Sequence, residues 1–289
     1  MKILVLGGTG LVGTELVNQL NSRGADVSVL TRKAGHVSGL PNEIRLIRGD
    51  LLNPITVRTI FRNVDRVFML NALSTSETCE GLFAVNGIRR SRIEKIVYMS
   101  VQDLEKGLHL PHFGSKLAIE HAIKQTGKPY TILRPNNFFQ NDYWSKDSMV
   151  RYGVYPQPLG EAGISRVDIR DIATAAANAL LTDDFENETY NLVGPDVLTG
   201  PETAKIWSEV LGRHIKYAGD DLDAWEQNSL QFMTDWMAYD LKLMYEFFHK
   251  HGLKATPEDL ERVYKILGKP PRKFRDFAKE TAKMWKSPI

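Results

Sequence analysis

The residues with the clearest chemical potential stand near the start of the chain, in the run Gly7–Gly8–Thr9–Gly10–Leu11–Val12–Gly13. This run directly follows an apolar segment, Lys2–Leu6, that reads as a strand. Val12, Leu16 and Leu20 then recur every fourth residue, the mark of a helix with one buried stripe. At such a helix start the first backbone N–H groups lack intrahelical acceptors, and the positive end of the helix dipole faces outward. A diphosphate satisfies both. Gly7, Gly10 and Gly13 then have separate tasks: a tight turn, close approach to a pyrophosphate, and close packing of helix on strand. The expected dinucleotide contacts are Gly7, Thr9, Gly10, Leu11, Val12 and Gly13. The alternative is a glycine turn that holds no ligand.

The end of the second strand candidate carries Thr31, Arg32 and Lys33, with no Asp or Glu. An acid there holds the ribose 2′-hydroxyl of NAD, whereas a basic side chain pairs with the 2′-phosphate of NADP. Arg32 and Lys33 therefore favour NADP(H), with NAD(H) as the second choice. Arg32 can also stack its planar guanidinium on the adenine, and two solvated surface cations are the plain alternative.

These residues need a frame. Strand candidates recur at Lys2–Leu6, Asp26–Leu30, Ile44–Arg48, Arg66–Leu70, Lys95–Ser100, Tyr130–Arg134 and Thr189–Val193, with amphipathic stretches between them. That alternation predicts an α/β fold, a doubly wound parallel sheet of the Rossmann type with helices on both faces. Ile169, Ile172, Ala173, Ala176 and Leu180 form a late helical stripe. Beyond Gly194 the texture turns helical and aromatic. Thr199 with Glu202 reads as a capping box, Leu241, Met244, Tyr245 and Phe248 as a helical stripe, and Thr256–Pro257 as a further helix start. The expected division is a dinucleotide-binding domain over 1–150, completed by 167–196, and a smaller, mainly helical substrate lobe over 197–289 with 151–166.

Composition narrows the partners. The 289 residues are 43% hydrophobic and 25% charged, enough for a sizeable core. A net charge of +2, spread along the chain, asks for neither nucleic acid nor an anionic membrane. Cys79 stands alone, so no internal disulfide forms and a cysteine-based metal site is not expected. The apolar run Ile3–Leu6 is too short for a signal peptide, and the cytoplasm is the expected location.

Further blocks resemble the NmrA-like group of atypical short-chain dehydrogenases. They are His112–Phe113–Gly114–Ser115–Lys116, Pro129–Tyr130–Thr131–Ile132–Leu133–Arg134–Pro135 with Asn136, Asn137 and Phe138, Val167–Asp168–Ile169–Arg170–Asp171–Ile172–Ala173, and Leu267–Gly268–Lys269–Pro270–Pro271–Arg272. The resemblance implies more cofactor contacts. Asp50 with Leu51 would lie by the adenine amine, Asn71 and Ala72 by the adenine ribose, Lys116 on the nicotinamide ribose, and Pro135, Asn136, Asn137 and Phe138 along the nicotinamide ring. Read singly, Asp50 also fits a helix cap, Asn71 a turn, and Lys116 a helix-surface partner of Glu120.

Short-chain dehydrogenases place a Tyr four residues before the Lys as the proton donor; this chain has His112 there. Helical spacing puts His112 and Lys116 on one face, and an imidazolium donates near neutral pH, although a neighbouring ammonium opposes it. His109 is an alternative donor, and a helix-start histidine held by its neighbours is the plain reading. Ser100 falls where the superfamily keeps a hydroxyl that polarises the substrate, so Ser100, His112 and Lys116 form the expected catalytic set.

The absent Tyr weakens ordinary ketone reduction. Quinones, dyes and imines are electrophilic enough to accept hydride with little help, and Phe138, Phe139, Tyr143, Trp144, Trp225, Phe232, Trp236 and Tyr239 offer either an aromatic substrate wall or a lobe core. Two functions follow: an NADPH-dependent reductase of an electrophilic aromatic small molecule, or a silent dinucleotide sensor acting through a protein partner.

Overall fold

The computed structural model describes residues 1–33, 35 and 37–286. β1 (Lys2–Val5) leads into α1 (Leu11–Ser22), followed by β2 (Asp26–Thr31) and β3 (Arg45–Arg48). Next come α2 (Pro54–Thr59), β4 (Arg66–Met69), α3 (Glu77–Arg89), β5 (Lys95–Met99), α4 (Pro111–Lys124) and β6 (Tyr130–Pro135). A 3₁₀ helix (Phe139–Ser145), α5 (Lys146–Tyr152) and β7 (Val154–Tyr155) precede α6 (Ile169–Leu181) and β8 (Glu188–Leu192). The remainder is α7 (Gly200–Leu211), β9 (Lys216–Tyr217), α8 (Leu222–Ser229), α9 (Asp235–His251), α10 (Pro257–Leu267) and α11 (Phe274–Lys286).

These elements divide between two compact units. The first holds residues 1–135, 169–192 and 262–269; the second holds 136–168, 193–261 and the chain from Pro270 on. The sequence reading carries the first domain to residue 150, but the chain leaves the first unit at Pro135. The reason is Asp142, whose carboxylate is fully buried among polar groups of the second unit. Residues 262–269 run the other way, back to the first unit. Arg262 there donates to Glu188 and to the Thr189 carbonyl, and Asn178 donates to the carbonyl of Ile266.

The first unit is a parallel sheet in the order β3-β2-β1-β4-β5-β6-β8. The chain winds outward from β1 to β3, then crosses to β4 and winds the other way, so the order reverses between β1 and β4. The central strands are covered on both faces, hence their unbroken apolar runs: Ile3–Val5, Val67–Met69 and Ile96–Tyr98 are all fully buried. One face of the sheet joins Leu4, Leu6, Val67, Met69, Ile96 and Tyr98 to Ala84, Val85 and Ile88 of α3 and Ile119 and Ile123 of α4. On the other, α6 lies on α1 and on β4, β5 and β6. Its alanines at 173, 175, 176, 177 and 179 are fully buried, which suits a helix lying close to its neighbours.

The second unit is mainly helical, with one two-stranded parallel pair, β7 with β9. The capping box expected at Thr199 forms as read: its hydroxyl accepts from the Glu202 amide while Glu202 accepts from the Thr199 amide. Thr256 and Asp259 exchange the same pair of bonds ahead of α10. The apolar centre gathers Phe139, Trp207, Phe274 and Phe277, with ring centroids 5.1 to 6.3 Å apart. Beside it Asp142 takes bonds from Tyr155, Gln157 and the Trp207 indole, and pairs with Arg166 at 2.7 Å. Both charges are wholly buried.

Candidate functional site

In an open parallel sheet, ligands bind beyond the carboxyl ends of the strands where the order reverses. The glycine turn sits at that place. It follows β1, and the Leu6 amide still donates to Phe68 on β4 at 2.9 Å. Gly7 adopts a φ of 75°, and a Cβ there would stand 2.6 Å from the Leu70 carbonyl oxygen. A Cβ on Gly13 would stand 2.1 Å from the Gly7 carbonyl oxygen, so α1 can start against the turn only with glycine there. Gly10 is different. Its φ of −89° suits any residue, and an added Cβ would meet nothing closer than 3.6 Å.

Packing therefore accounts for Gly7 and Gly13 and leaves Gly10 unaccounted for. The space over it is open, and Thr9, Gly10 and Leu11 are exposed. Gly10 is the N-cap of α1 and supplies no side-chain bond, and no acid lies in the first turn. The N–H groups at this helix start thus keep their capacity for an anion. Val12 is buried and contributes only backbone.

The other expected contacts lie at the same edge of the sheet. Arg32 and Lys33 follow β2; both are exposed, and neither forms an ion pair among the described residues. Asp50 and Leu51 follow β3. Asp50 does not cap α2, whose cap is Asn53; its Oδ1 instead accepts from the Leu52 amide at 2.8 Å. Asn71 follows β4, and Ala72 beside it is exposed. The Asn71 side chain is buried, and its Oδ1 has no protein partner. Ser100 follows β5, buried, with its Oγ also unpartnered. Met69 pairs with Tyr98 at the ends of β4 and β5, and Asn71 and Ser100 each lie two residues further along the chain.

Two buried polar atoms left unpaired are costly unless something satisfies them, by about 1–3 kcal/mol each. The open crest above Gly10, the anion-ready helix start and these two atoms together fit a dinucleotide whose hydroxyls and phosphates would meet them. No group of acids, histidines or cysteines that could hold a metal occurs among the described residues.

Lys116 lies on α4, four residues after His112 as the spacing requires. Its partner is not Glu120. The Lys116 ammonium bonds the Glu77 carboxylate on α3, and Glu77 is only 2% exposed. Glu120 is instead gripped at both oxygens by Arg134, at 2.9 and 2.7 Å. Glu77 is not among the residues expected from sequence. A signal for it existed: Glu77 is in register with Gly81, Ala84, Val85 and Ile88, the buried stripe of α3. An acid on an apolar stripe needs a buried partner.

His112 occupies the first turn of α4, half-buried, with its ring edge-on to Phe113 at 4.8 Å. His109 is exposed. Tyr98, on β5, is fully buried, and its hydroxyl has no protein partner. Burial, and then the carboxylates of Glu77 and Glu120, push this phenol well above its usual range, so it stays protonated.

Pro135 ends β6 in the first unit, whereas Asn136, Asn137 and Phe138 begin the second. There Asn136 donates to the Leu253 carbonyl, and Asn137 accepts from Arg166 at 3.0 Å. The Phe138 carbonyl accepts from Arg166 at 2.7 Å and the Val167 amide donates to the Asn137 carbonyl, so side chains and backbone both hold this segment in place. Of the aromatic wall, Phe139 belongs to the core and Trp225 packs on Tyr245, while Trp144, Phe232 and Tyr239 are exposed. No helix of the described residues is long and apolar enough to cross a membrane.

The sequence model of the NmrA-like family matches residues 1–277. An NAD(P)H azoreductase of Xenophilus azovorans is 28% identical over 97% of this chain and 98% of its own. A (4-alkanoyl-5-oxo-2,5-dihydrofuran-3-yl)methyl phosphate reductase of Streptomyces griseus is 27% identical, over 97% and 98%. Among solved structures, the NADPH-dependent quinone oxidoreductase of Escherichia coli in complex with NADPH superposes with a TM-score of 0.86 at 18% identity, covering 96% of this chain and 99% of that one.

Proposed function

The chain belongs to the NmrA-like family, and from that premise we propose that it is an NADPH-dependent reductase of electrophilic, aromatic small molecules such as quinones, azo dyes or cyclic imines. The observation that carries this reading is the carboxyl edge of the sheet, where Gly10, Arg32, Asn71 and Ser100 keep unspent binding capacity at the reversal of strand order.

Residues 7 to 13 hold the diphosphate through backbone N–H groups. Arg32 and Lys33 take the 2′-phosphate by charge-assisted bonds. Asp50, Leu51, Asn71 and Ala72 line the adenosine side, and Lys116 holds the nicotinamide ribose. Pro135 to Phe138 border the ring. When bound, the reduced nicotinamide supplies a hydride to the acceptor.

Ser100 polarises the acceptor through its unpartnered hydroxyl. His112 stands where Tyr is usual and supplies the proton, with solvent as the other source. The chemistry asks little of either group, because a quinone gains aromaticity on reduction and an iminium carbon is already electron-poor. This suits a chain without the tyrosine.

The test is loss of NADPH absorbance on adding quinones, azo dyes and cyclic imines in turn. Turnover of at least one class is expected; no turnover across the panel by protein that binds NADPH tightly contradicts the assignment. A second test addresses the cofactor. Arg32→Ala should weaken NADPH about tenfold while NADH changes little, as expected for one charge-assisted bond. Equal effects on both dinucleotides would remove the 2′-phosphate argument.

A further inference from the structure

Lys116 does not act alone. Its ammonium is bonded to Glu77, whose other oxygen, Oε2, is buried without a partner. Glu77 lies in the first turn of α3, where the helix dipole favours a negative charge. Lys116 itself is 12% exposed. The two opposite charges are thus held together away from water, and their sum is zero.

That sum matters because the two forms of the cofactor differ in charge at one place. The oxidised nicotinamide ring carries one positive charge, and the reduced ring is neutral. A lone ammonium beside the ring would disfavour the oxidised form, and a lone carboxylate would favour it. We propose that Glu77 is a positioning residue that neutralises Lys116 and thereby sets the relative affinity for oxidised and reduced dinucleotide. This rests on the reading of Lys116 as the nicotinamide-ribose contact. Glu77 fixes where the ammonium points, and it cancels the field that the ammonium would otherwise impose on the ring.

A sign follows that packing alone does not produce. With an effective dielectric of about 30, between that of a protein surface and water, a unit charge roughly 8 Å away shifts an affinity by on the order of tenfold. Glu77→Gln leaves the lysine charge uncancelled, and the ratio of the NADP⁺ to the NADPH dissociation constant should rise about 5- to 20-fold. Lys116→Gln leaves the carboxylate uncancelled, and the same ratio should fall by a similar factor. The double variant restores a neutral pair, and its ratio should return to within about twofold of wild type, although both forms bind more weakly than before.

The experiment titrates the full chain and these three variants with NADPH and NADP⁺ by calorimetry, after circular dichroism has checked folding. Shifts of opposite sign in the single variants support the proposal. Shifts of the same sign, or an unchanged ratio while Lys116→Gln weakens both forms, overturn it and leave the cofactor site standing. If wild type binds neither dinucleotide, the site assignment falls and this proposal with it. Should Glu77→Gln not fold, Glu77→Asp keeps the charge and is expected to hold the ratio within about twofold; a shift beyond that contradicts the role given to the charge.

Discussion

Replacing Gly10 with Val leaves the protein folded and lowers its affinity for NADPH by about 100-fold or more, the equivalent of roughly 2.7 kcal/mol. The two halves of this expectation come from separate observations. Gly10 has an extended backbone, and a Cβ there meets nothing within 3.6 Å, so the side chain enters open space. Valine is a poorer N-cap than glycine, which costs about 1 kcal/mol of stability. Yet the space it fills lies over the start of α1, where the backbone N–H groups await an anion. Thermal denaturation should show a small shift and calorimetry a large loss. Comparable NADPH binding by the folded variant would mean that the diphosphate lies elsewhere. Gly13 offers the contrast. A Cβ there stands 2.1 Å from backbone, so Gly13→Ala is expected to damage the fold along with binding.

The second large effect belongs to the other unit. Asp142→Ala strips the buried Arg166 of its counter-charge and removes the acceptor used by Tyr155, Gln157 and Trp207. Leaving one buried charge uncompensated costs about 3–5 kcal/mol, a large part of the 5–15 kcal/mol that holds a typical protein together. The melting temperature should fall by roughly 10 °C. Turnover should fall too, because Arg166 also holds Asn137 and the Phe138 carbonyl in the segment assigned to the nicotinamide side. Replacing both charges with apolar residues, as in Asp142→Leu with Arg166→Met, should cost less than Asp142→Ala alone. A loss under about 1 kcal/mol in the single variant would show that water reaches Arg166.

What was legible in the sequence followed from local physics. Strands covered on both faces read as apolar runs, and the expected strands differ from the observed ones by a residue or so at their ends. The glycine turn, the stripe Val12, Leu16, Leu20 and the Thr199–Glu202 cap announce themselves because each depends on neighbours in sequence. Arg32 drew notice because it follows a strand, whereas Asp50, Asn71 and Ser100, which also follow strands, were singled out through the family resemblance.

Long-range pairings were not. Glu77 and Lys116 are 39 residues apart, and Asp142 and Arg166 are 24 apart. Charged residues read as surface residues until a partner is known, and no spacing rule joins positions on different elements. Glu120 misled for the opposite reason. Its position four residues after Lys116 is the usual mark of a helical ion pair, yet Arg134 on β6 reaches it with two parallel bonds and takes it. The long-range bonds of Asp142 likewise lie within the second unit, which takes up the chain after Pro135. Aromatic residues divided between roles that sequence cannot separate: Phe139 is core, while Trp144, Phe232 and Tyr239 are exposed.

Calorimetric titration of the folded wild-type chain with NADPH tests most directly whether a dinucleotide is gripped at the start of α1. One equivalent should bind, more tightly than NADH, with the preference carried by Arg32. Absence of any heat of binding with NADPH, NADP⁺, NADH and NAD⁺ alike would contradict it.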